Sequence, residues 1–209
     1  NEHIFKEVKK EWRDYLEPEN KIDGEKFDTK SYINDLLNCY KEWKEEGTNK
    51  KFQGSYQIAT ELLKEYEIPP LNEDEINELI EKVEEKEDWS KGLFLSAMIN
   101  KLYKKEEIYL PLGNINFIGS FNKDKKIVVK GDCDNYTGYC MEGGEIVIEG
   151  NCGNWTGYDM KGGKIRIYGD NFDPKSQISE HAEGGKIYHK GIVIYKDNTY
   201  MGEKKWKRK

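Results

Sequence analysis

The chain has 209 residues, a net charge of −6 and a hydrophobic content of 36%, which suits one ordinary domain or two small ones. No apolar run approaches the roughly 18 residues that a membrane-spanning helix needs, and the first residues carry no apolar signal-peptide core. Four cysteines are too few for a disulfide scaffold. We therefore expect a cytoplasmic protein that neither spans a membrane nor is secreted.

Composition divides the chain into two halves. Only four of the 20 glycines precede residue 108, and the other sixteen follow it. Residues 1–107 carry 18 Lys and Arg against 27 Asp and Glu, a net charge of −9, whereas residues 108–209 have a net charge of +3. This contrast predicts an acidic unit over 1–107 and a glycine-rich unit over 108–209. Their opposite charges predict that the two units dock on each other.

The acidic half has apolar residues at helical spacing and predicts a bundle of five helices. Asp28 and Asn72 are the predicted N-caps of the second and fourth helices, and Glu75 has the spacing of a capping box with Asn72. The fifth helix is the most apolar, so we expect it at the centre of the bundle. The predicted helices cover about residues 4–16, 29–46, 55–66, 73–83 and 90–104.

The second half contains an internal repeat of nineteen residues, the most informative feature of the sequence. Residues 131–144 read GDCDNYTGYCMEGG and residues 150–163 read GNCGNWTGYDMKGG, and eleven of the nineteen positions in the two full units are identical. A third, degenerate unit starts at Gly169 and reaches its glycine pair three residues late. The third unit therefore contains an insertion within residues 170–183.

Each unit contains one short strand with alternating apolar positions, such as residues 146–148. Nineteen residues cannot hold a strand–helix–strand unit, so the repeat predicts a β-solenoid, a chain that winds once per unit and stacks each strand on the preceding one. In that register Glu145 lies beside Lys164 and Glu142 beside Lys161, so most stacked charges alternate in sign. Glycines recur at the corners, where we expect some residues at positive φ. These corner glycines are Gly138, Gly143, Gly157 and Gly162.

The glycine, aromatic, methionine and aliphatic positions of the repeat stay in phase over roughly residues 112–195, and this pattern resembles the GXGXG repeat domain. That domain forms the C-terminal right-handed β-helix of the glutamate synthase large subunit and also occurs in one of the subunits of formylmethanofuran dehydrogenase. The resemblance implies a small right-handed β-helix over 108–209 that acts as a scaffold and supplies no catalytic residue. It does not extend to residues 1–107, so the expected fold class is a two-part α+β protein.

The cysteines and histidines are the candidate ligands and nucleophiles. Cys133 and Cys152 occupy the same repeat position and are expected to stack on adjacent coils, where small buried thiols suit the core. Core packing is favoured over a redox pair or a metal site, whose ligands usually show CxxC-type spacing. His189 lies at an inward strand position. His181 lies in the insertion, where we expect a ligand site if the solenoid has one.

The sequence contains no motif for hydrolysis or phosphate binding. Ser120 lies in IGSFN, which lacks the second glycine of a nucleophile elbow, and neither GxGxxG after a strand nor GxxxxGK[ST] occurs. We therefore predict no catalytic, cofactor-binding or metal-binding residue. The lysine-rich end at 204–209 is interpreted as a solvated tail rather than as a nucleic-acid contact.

These observations predict a non-catalytic binding or assembly protein whose partner is another protein or a second copy of itself. The expected contact surface is either the exposed turn edge of the solenoid or the helical bundle. Neither nucleic acid nor membrane is expected as a partner. Two alternatives stay open: an accessory subunit of a multi-subunit redox or amidotransferase enzyme, by analogy with the two families, and an enzyme whose site lies in the helical half.

The open ends of a solenoid need to be covered, because unpaired strand edges invite association. The helix at 90–104 leads directly into the first coil, and we expect it to cover that coil. Residues 192–203, or a second copy of the chain, are expected to cover the last coil.

Overall fold

The fold was determined from a computed structural model, which describes residues 30–47, 51–83, 91–111, 113–179, 181–196 and 199–201. The predicted two-part α+β fold is confirmed, because helices precede a parallel β-solenoid with coils of about 19 residues. The helix predicted over 4–16 and the lysine-rich end lie outside the described residues. Within those ranges, no helix has the length and apolar character needed to cross a membrane.

Helices make up the first half of the described chain. Helix α3 begins with the predicted capping box: Glu75 N donates to Asn72 Oδ1 at 3.0 Å, and Asn72 N donates to Glu75 Oε2 at 2.8 Å. Helix α4 is buried along almost its whole length, as expected for the central helix. It contributes Phe94 to a core in which the Trp43 ring lies 5.4 Å away. The helices are α1 (Lys30–Gly47), α2 (Phe52–Glu65), α3 (Glu73–Lys82) and α4 (Lys91–Leu102).

Parallel strands form one wall of the solenoid. Neighbouring strands pair in register with an offset of 19 residues from the first strand to the fourth. The second position of each strand is a fully buried isoleucine, so each coil covers the apolar face of the coil before it. The strands are β1 (Glu107–Leu110), β2 (Lys126–Val129), β3 (Glu145–Ile148), β4 (Lys164–Ile167) and β5 (Lys186–His189).

The fourth coil is longer than the others, as the late glycine pair predicts. Lys164 pairs with Lys186, so the offset grows to 22 residues, and the added length includes the short helix α5 (Pro174–Gln177). After β5 the chain reverses, and β6 (Ile192–Lys196) and β7 (Thr199–Tyr200) pair antiparallel. Ile194 and Tyr195 are buried in β6, so the predicted closure of the last coil after residue 192 is present in the described part of that segment.

The expectation that some of the corner glycines have positive φ is confirmed at Gly138 and Gly157. Gly138 has a φ of +72°, as predicted, but Gly143 and Gly162 do not lie in the left-handed region. The second glycine of each pair has the positive φ instead, with +73° at Gly144. A Cβ on Gly143 would lie 2.2 Å from the carbonyl oxygen of Lys123 on the preceding coil. The first glycine of each pair is therefore needed for close backbone approach rather than for its φ.

The open edge of β1 is completed by side chains of the helical half. Tyr109 N donates to Glu73 Oε2 of α3 at 3.2 Å, and Asn77 Nδ2 of the same helix lies 3.5 Å from Tyr109 O. Tyr103 Oη donates to Glu107 O at 2.8 Å. These groups supply hydrogen bonds that a preceding strand would otherwise make, so the edge does not present a row of unpaired backbone groups.

Helix α4 covers the rest of the first coil through a face of small and polar residues. Gly92, Ser96 and Asn100 are spaced four apart and lie on one side of the helix. Ser96 Oγ donates to Phe117 O at 3.0 Å and accepts a hydrogen bond from Ser120 N at 3.1 Å. The predicted contact between this helix and the first coil is therefore confirmed.

Asn100 makes a hydrogen bond to the first coil that a preceding coil would otherwise make. Its Nδ2 donates to Ser120 O at 3.0 Å. One coil later the equivalent carbonyl, that of Tyr139, accepts a hydrogen bond from the backbone N–H of Phe121 at 2.9 Å. Two coils later the carbonyl of Tyr158 accepts from the backbone N–H of Cys140 at 2.8 Å. The side-chain amide of Asn100 thus makes the hydrogen bond that a backbone amide makes in the next two coils.

Candidate binding surface

Three aromatic rings stack on one another on the turn side of the coils. Phe117, Tyr136 and Trp155 occupy the same position in successive coils, 19 residues apart. The centroid of the Tyr136 ring lies 4.8 Å from that of Phe117 at an interplanar angle of 1°, and 4.9 Å from that of Trp155 at an angle of 19°. These separations match the spacing of about 4.8 Å between paired strands, so the backbone register sets the stack. We call these three residues the aromatic ladder.

The backbone holds the aromatic ladder in an unusual conformation. Phe117, Tyr136 and Trp155 have φ values of 60°, 59° and 55°, in the left-handed region that residues other than glycine rarely adopt. Phe117 N donates to Asn135 O and Tyr136 N donates to Asn154 O, both at 2.9 Å. Because each coil repeats the conformation of its neighbour, the backbone fixes the position of each ring.

Asparagines immediately before the rings form a second stack. Asn135 N donates to Asn116 Oδ1 at 3.1 Å, and Asn154 N donates to Asn135 Oδ1 at 2.8 Å. Each side chain therefore fixes the backbone of the next coil. Asn154 is exposed, and among the described residues its side chain has no hydrogen-bond partner.

A second pair of stacked rings lies beside the ladder. The centroids of Tyr139 and Tyr158 are 5.9 Å apart, and Tyr158 meets Tyr136 edge to face at 5.7 Å. Burial raises the pKa of the Tyr139 phenol well above its ordinary value, so this group stays protonated. The ring of His181 lies 4.9 Å from that of Tyr158. The insertion therefore brings a histidine to the rim of the aromatic surface.

Helix α2 closes one end of this surface. The Phe52 ring lies 4.6 Å from the Phe117 ring, and the Tyr56 ring stacks on the Phe121 ring at 4.2 Å. Asn100 Nδ2 donates to Tyr56 Oη at 2.9 Å, which fixes the phenol against α4. At this end the rings are packed within the fold.

The other end of the ladder is open. Thr156 N donates to Gln177 O at 2.9 Å, so the insertion places Gln177 at the next ladder position. The Gln177 side chain donates from Nε2 to Cys152 O at 2.8 Å and cannot continue a stack of rings. Trp155 is therefore the last ring, and 44% of its surface is exposed. A rigid, partly exposed indole beside an exposed asparagine amide can bind an apolar or aromatic group and donate or accept hydrogen bonds at its rim.

The turn edge of the solenoid was one of the two contact surfaces expected from the sequence, but the three rings on it were not singled out, although their signal was present. The spacing of nineteen residues between Phe117, Tyr136 and Trp155 is readable from the sequence, and it predicts that the rings stack. Which ring ends the stack depends on the register of the insertion, and that register is set by the hydrogen bond from Thr156 to Gln177.

Cys133 and Cys152 lie stacked in the core, as the core-packing interpretation expects. Both are buried, and Cys133 N donates to the carbonyl oxygen of Asn151 on the next coil at 2.7 Å. A hydrogen bond with the Cys152 thiol, together with burial, raises the pKa of the Cys133 thiol well above its ordinary value. A buried thiol that stays protonated, as that of Cys133 does, is a poor nucleophile. The part of the chain that the structure describes holds no group of three or more His, Cys, Asp and Glu side chains placed to bind a metal.

The remaining sequence candidates lie apart from one another. His189 is half-buried at its strand position, with Nε2 2.8 Å from Gly169 O and the ring 5.5 Å from that of Phe172. Ser120 is buried, and its Oγ donates to Phe117 O at 2.6 Å, so this serine has a structural role in the first coil.

Comparisons of the chain with protein-family models, with curated proteins and with solved structures found no match.

Proposed function

We propose that this chain is a non-catalytic binding or assembly protein, and that it binds a protein partner through the turn side of its solenoid. The single observation that carries the proposal is the aromatic ladder ending in Trp155, which is 44% exposed while its ring stacks on that of Tyr136. Trp and Tyr are the side chains that most often dominate the binding energy of protein interfaces.

Preorganisation is the second argument for this surface. Tyr136 and Trp155 are stacked, and the residues on either side of Trp155 are hydrogen-bonded to the neighbouring coils, so binding does not have to order the rings. Interfaces whose side chains are already immobile lose less entropy on association. The exposed Asn154 and the rim residue His181 provide the polar surroundings that a typical interface has around its apolar centre.

The test is a substitution that removes the indole but keeps the backbone. Asparagine tolerates left-handed φ values, so Trp155→Asn is expected to keep the fold and its thermal midpoint. Tyr168→Asn is the matched control, because Tyr168 is 45% exposed and lies on the strand side of the coil. In affinity capture from native lysate, with bound proteins identified by mass spectrometry, a partner of the parent protein should be lost with Trp155→Asn and retained with Tyr168→Asn.

Equal capture of the same partner by Trp155→Asn and by the parent protein would refute the proposal that the ladder binds it. Loss with both variants would also refute it, because the effect would then not be specific to the turn side.

Nothing in this proposal requires nucleic acid or a membrane, and the location we propose for the protein is the cytoplasm.

A second candidate is an accessory subunit of a redox or amidotransferase enzyme. It is favoured by the in-phase glycine, aromatic, methionine and aliphatic positions of residues 131–163, which resemble the GXGXG repeat, and the parallel solenoid agrees with that resemblance. The right-handed winding is likewise implied by the resemblance. Co-purification with a protein that contains flavin, molybdopterin or an amidotransferase domain would support this candidate, and partners of other kinds would contradict it.

A further inference from the structure

One row of charges on the strand side changes its pattern along the solenoid. The first positions of strands β1 to β5 lie in register, and Lys196, the last residue of β6, pairs with the first position of β5. The row begins with alternating acid and base. After the fourth strand the alternation stops, and three lysines follow one another. Like charges directly opposite each other destabilise a sheet. The row is Glu107, Lys126, Glu145, Lys164, Lys186 and Lys196.

Lys164 and Lys186 have no acidic partner among the described residues. The acid next in register to Lys164 is Glu145, but its Oε1 accepts a hydrogen bond from Arg166 Nε at 2.6 Å. By contrast, Lys126 forms an ion pair with Glu107 at 2.6 Å. We call Lys164 and Lys186 the lysine pair. Its repulsion is relieved if an acidic surface from outside the chain lies against it.

An acidic surface lies at the opposite end of the same sheet. Helix α3 is hydrogen-bonded to the edge of β1 through Glu73 and Asn77. Three acidic residues on the outer side of this helix are spaced by four and three positions. Within the described part of the chain, Glu78 alone of these outer residues has a basic neighbour, Lys82, at 3.3 Å. We call this set the acidic stripe: Asp74, Glu78 and Glu81.

We infer that the lysine pair binds the acidic stripe of a second copy of this chain, in an antiparallel dimer. The two charged surfaces lie at opposite ends of one sheet, so a two-fold rotation places each lysine pair against the acidic stripe of the other protomer. Such an arrangement closes on itself and makes both contacts twice. Between them the strand side offers Tyr109, which is 44% exposed, and Tyr188. This contact uses the strand side and α3, and it is independent of the aromatic ladder.

The experiment is sedimentation velocity of the full chain over a range of concentrations and salt. The parent protein should show a monomer–dimer equilibrium that weakens as salt increases, because the contact is between exposed and partly exposed charges. Lys164→Glu with Lys186→Glu should raise the dimer dissociation constant roughly tenfold or more, since like charges then face each other. Glu78→Lys with Glu81→Lys should have the same effect.

Mixing the two double variants gives the decisive result. In a mixed dimer, the surface whose lysines were replaced faces the stripe whose acidic residues were replaced, so these two surfaces again carry opposite charges. The unchanged acidic stripe of the first variant faces the unchanged lysine pair of the second. Dimerisation should therefore return to the level of the parent. The matched control is Lys104→Glu with Lys105→Glu, which makes the same change in net charge at two exposed lysines of the helical half and should leave the dissociation constant unchanged.

Several outcomes would overturn the inference. A parent protein that is monomeric at every concentration would show that the lysine pair does not bind a second copy. A mixture that stays monomeric would show that the two surfaces do not meet, and species larger than a dimer would show an open head-to-tail arrangement in place of the closed one. Thermal unfolding of each variant, expected near the parent midpoint, separates loss of dimer from loss of fold.

Discussion

At the scale of single residues, the coils depend on backbone conformations that most side chains avoid. Gly163 has a φ of +84°, and a Cβ there would lie 2.8 Å from the carbonyl oxygen of Gly143. Gly191 has a φ of +79° but has open space around it. Gly113 has neither a positive φ nor a close neighbour. These three glycines therefore separate the cost of φ strain from the cost of a steric clash.

Alanine at each of the three positions should give a graded loss of stability. Gly163→Ala combines strain and clash and should lower the free energy of unfolding by about 2 kcal/mol or more, whereas Gly191→Ala should cost about 1 kcal/mol. Gly113→Ala is the control and should change little. Urea denaturation measures the free energy of unfolding of the three variants. An equal loss at all three positions would contradict the predicted order.

At the scale of elements, helix α4 covers the first coil, as each later coil is covered by the coil before it. Its face of Gly92, Ser96 and Asn100 lies against backbone atoms of the coil, including Asn116 O, Phe117 O and Ser120 O. A Cβ on Gly92 would lie 1.7 Å from Asn116 O. The helix therefore approaches the coil so closely that only glycine fits at this point.

The Gly92 contact predicts a reversal of the usual effect of alanine in a helix. Replacing a helical glycine by alanine normally stabilises a protein, by up to about 1 kcal/mol in the interior of a helix. Gly92→Ala should instead lower the free energy of unfolding by about 2 kcal/mol or more, because the helix must move away from Asn116 and its hydrogen bonds at Ser96 and Asn100 lengthen. Lys101→Ala, at an exposed site of the same helix, is the control.

Thermal or urea unfolding measures both α4 variants. An increase in stability with Gly92→Ala would mean that α4 does not press on the first coil. A similar loss with Lys101→Ala would mean that the effect belongs to the helix and not to its contact with the solenoid.

At the scale of the whole molecule, the two halves share one apolar core. Buried residues from Ile33 to Tyr195 form a single cluster that crosses from the helices into the coils. Each coil is stabilised by its neighbours, so the first coil loses most when nothing covers it. At roughly 25 cal/mol per Å², covering a few hundred Å² of apolar surface contributes several kcal/mol.

This shared core predicts a graded effect of truncation. Residues 108–209 alone should be poorly soluble or self-associate, because the edge of β1 and the first coil are then uncovered. Residues 88–209 keep α4 and should behave better, but they lack α3, which caps β1, and α2, which packs on the ladder. Light scattering after size exclusion and thermal unfolding check this order. If residues 108–209 are monomeric and unfold like the full chain, the helices are not a cap.

The sequence by itself determined the repeat and the features that the repeat imposes on the fold. Spacing of nineteen residues between identical positions predicts strands β2 to β5, their parallel register, the stacked Cys133 and Cys152, and the insertion in the fourth coil. It also predicts that the isoleucines of these strands form a buried column. It does so because a regular winding places residues one period apart in contact. The capping box at Asn72 and the apolar character of α4 were also predictable, since both depend on local spacing.

Only the tertiary structure decided how the repeat ends. The Asn100 amide takes the place of a backbone donor, and Glu73 and Asn77 complete β1, through contacts between residues that no periodicity relates. The assignment of positive φ to Gly144 rather than Gly143, and of the open ladder end to Trp155, likewise depends on how one coil sits on the next. Periodicity specifies the interior of a solenoid, whereas its ends and corners are set by three-dimensional packing.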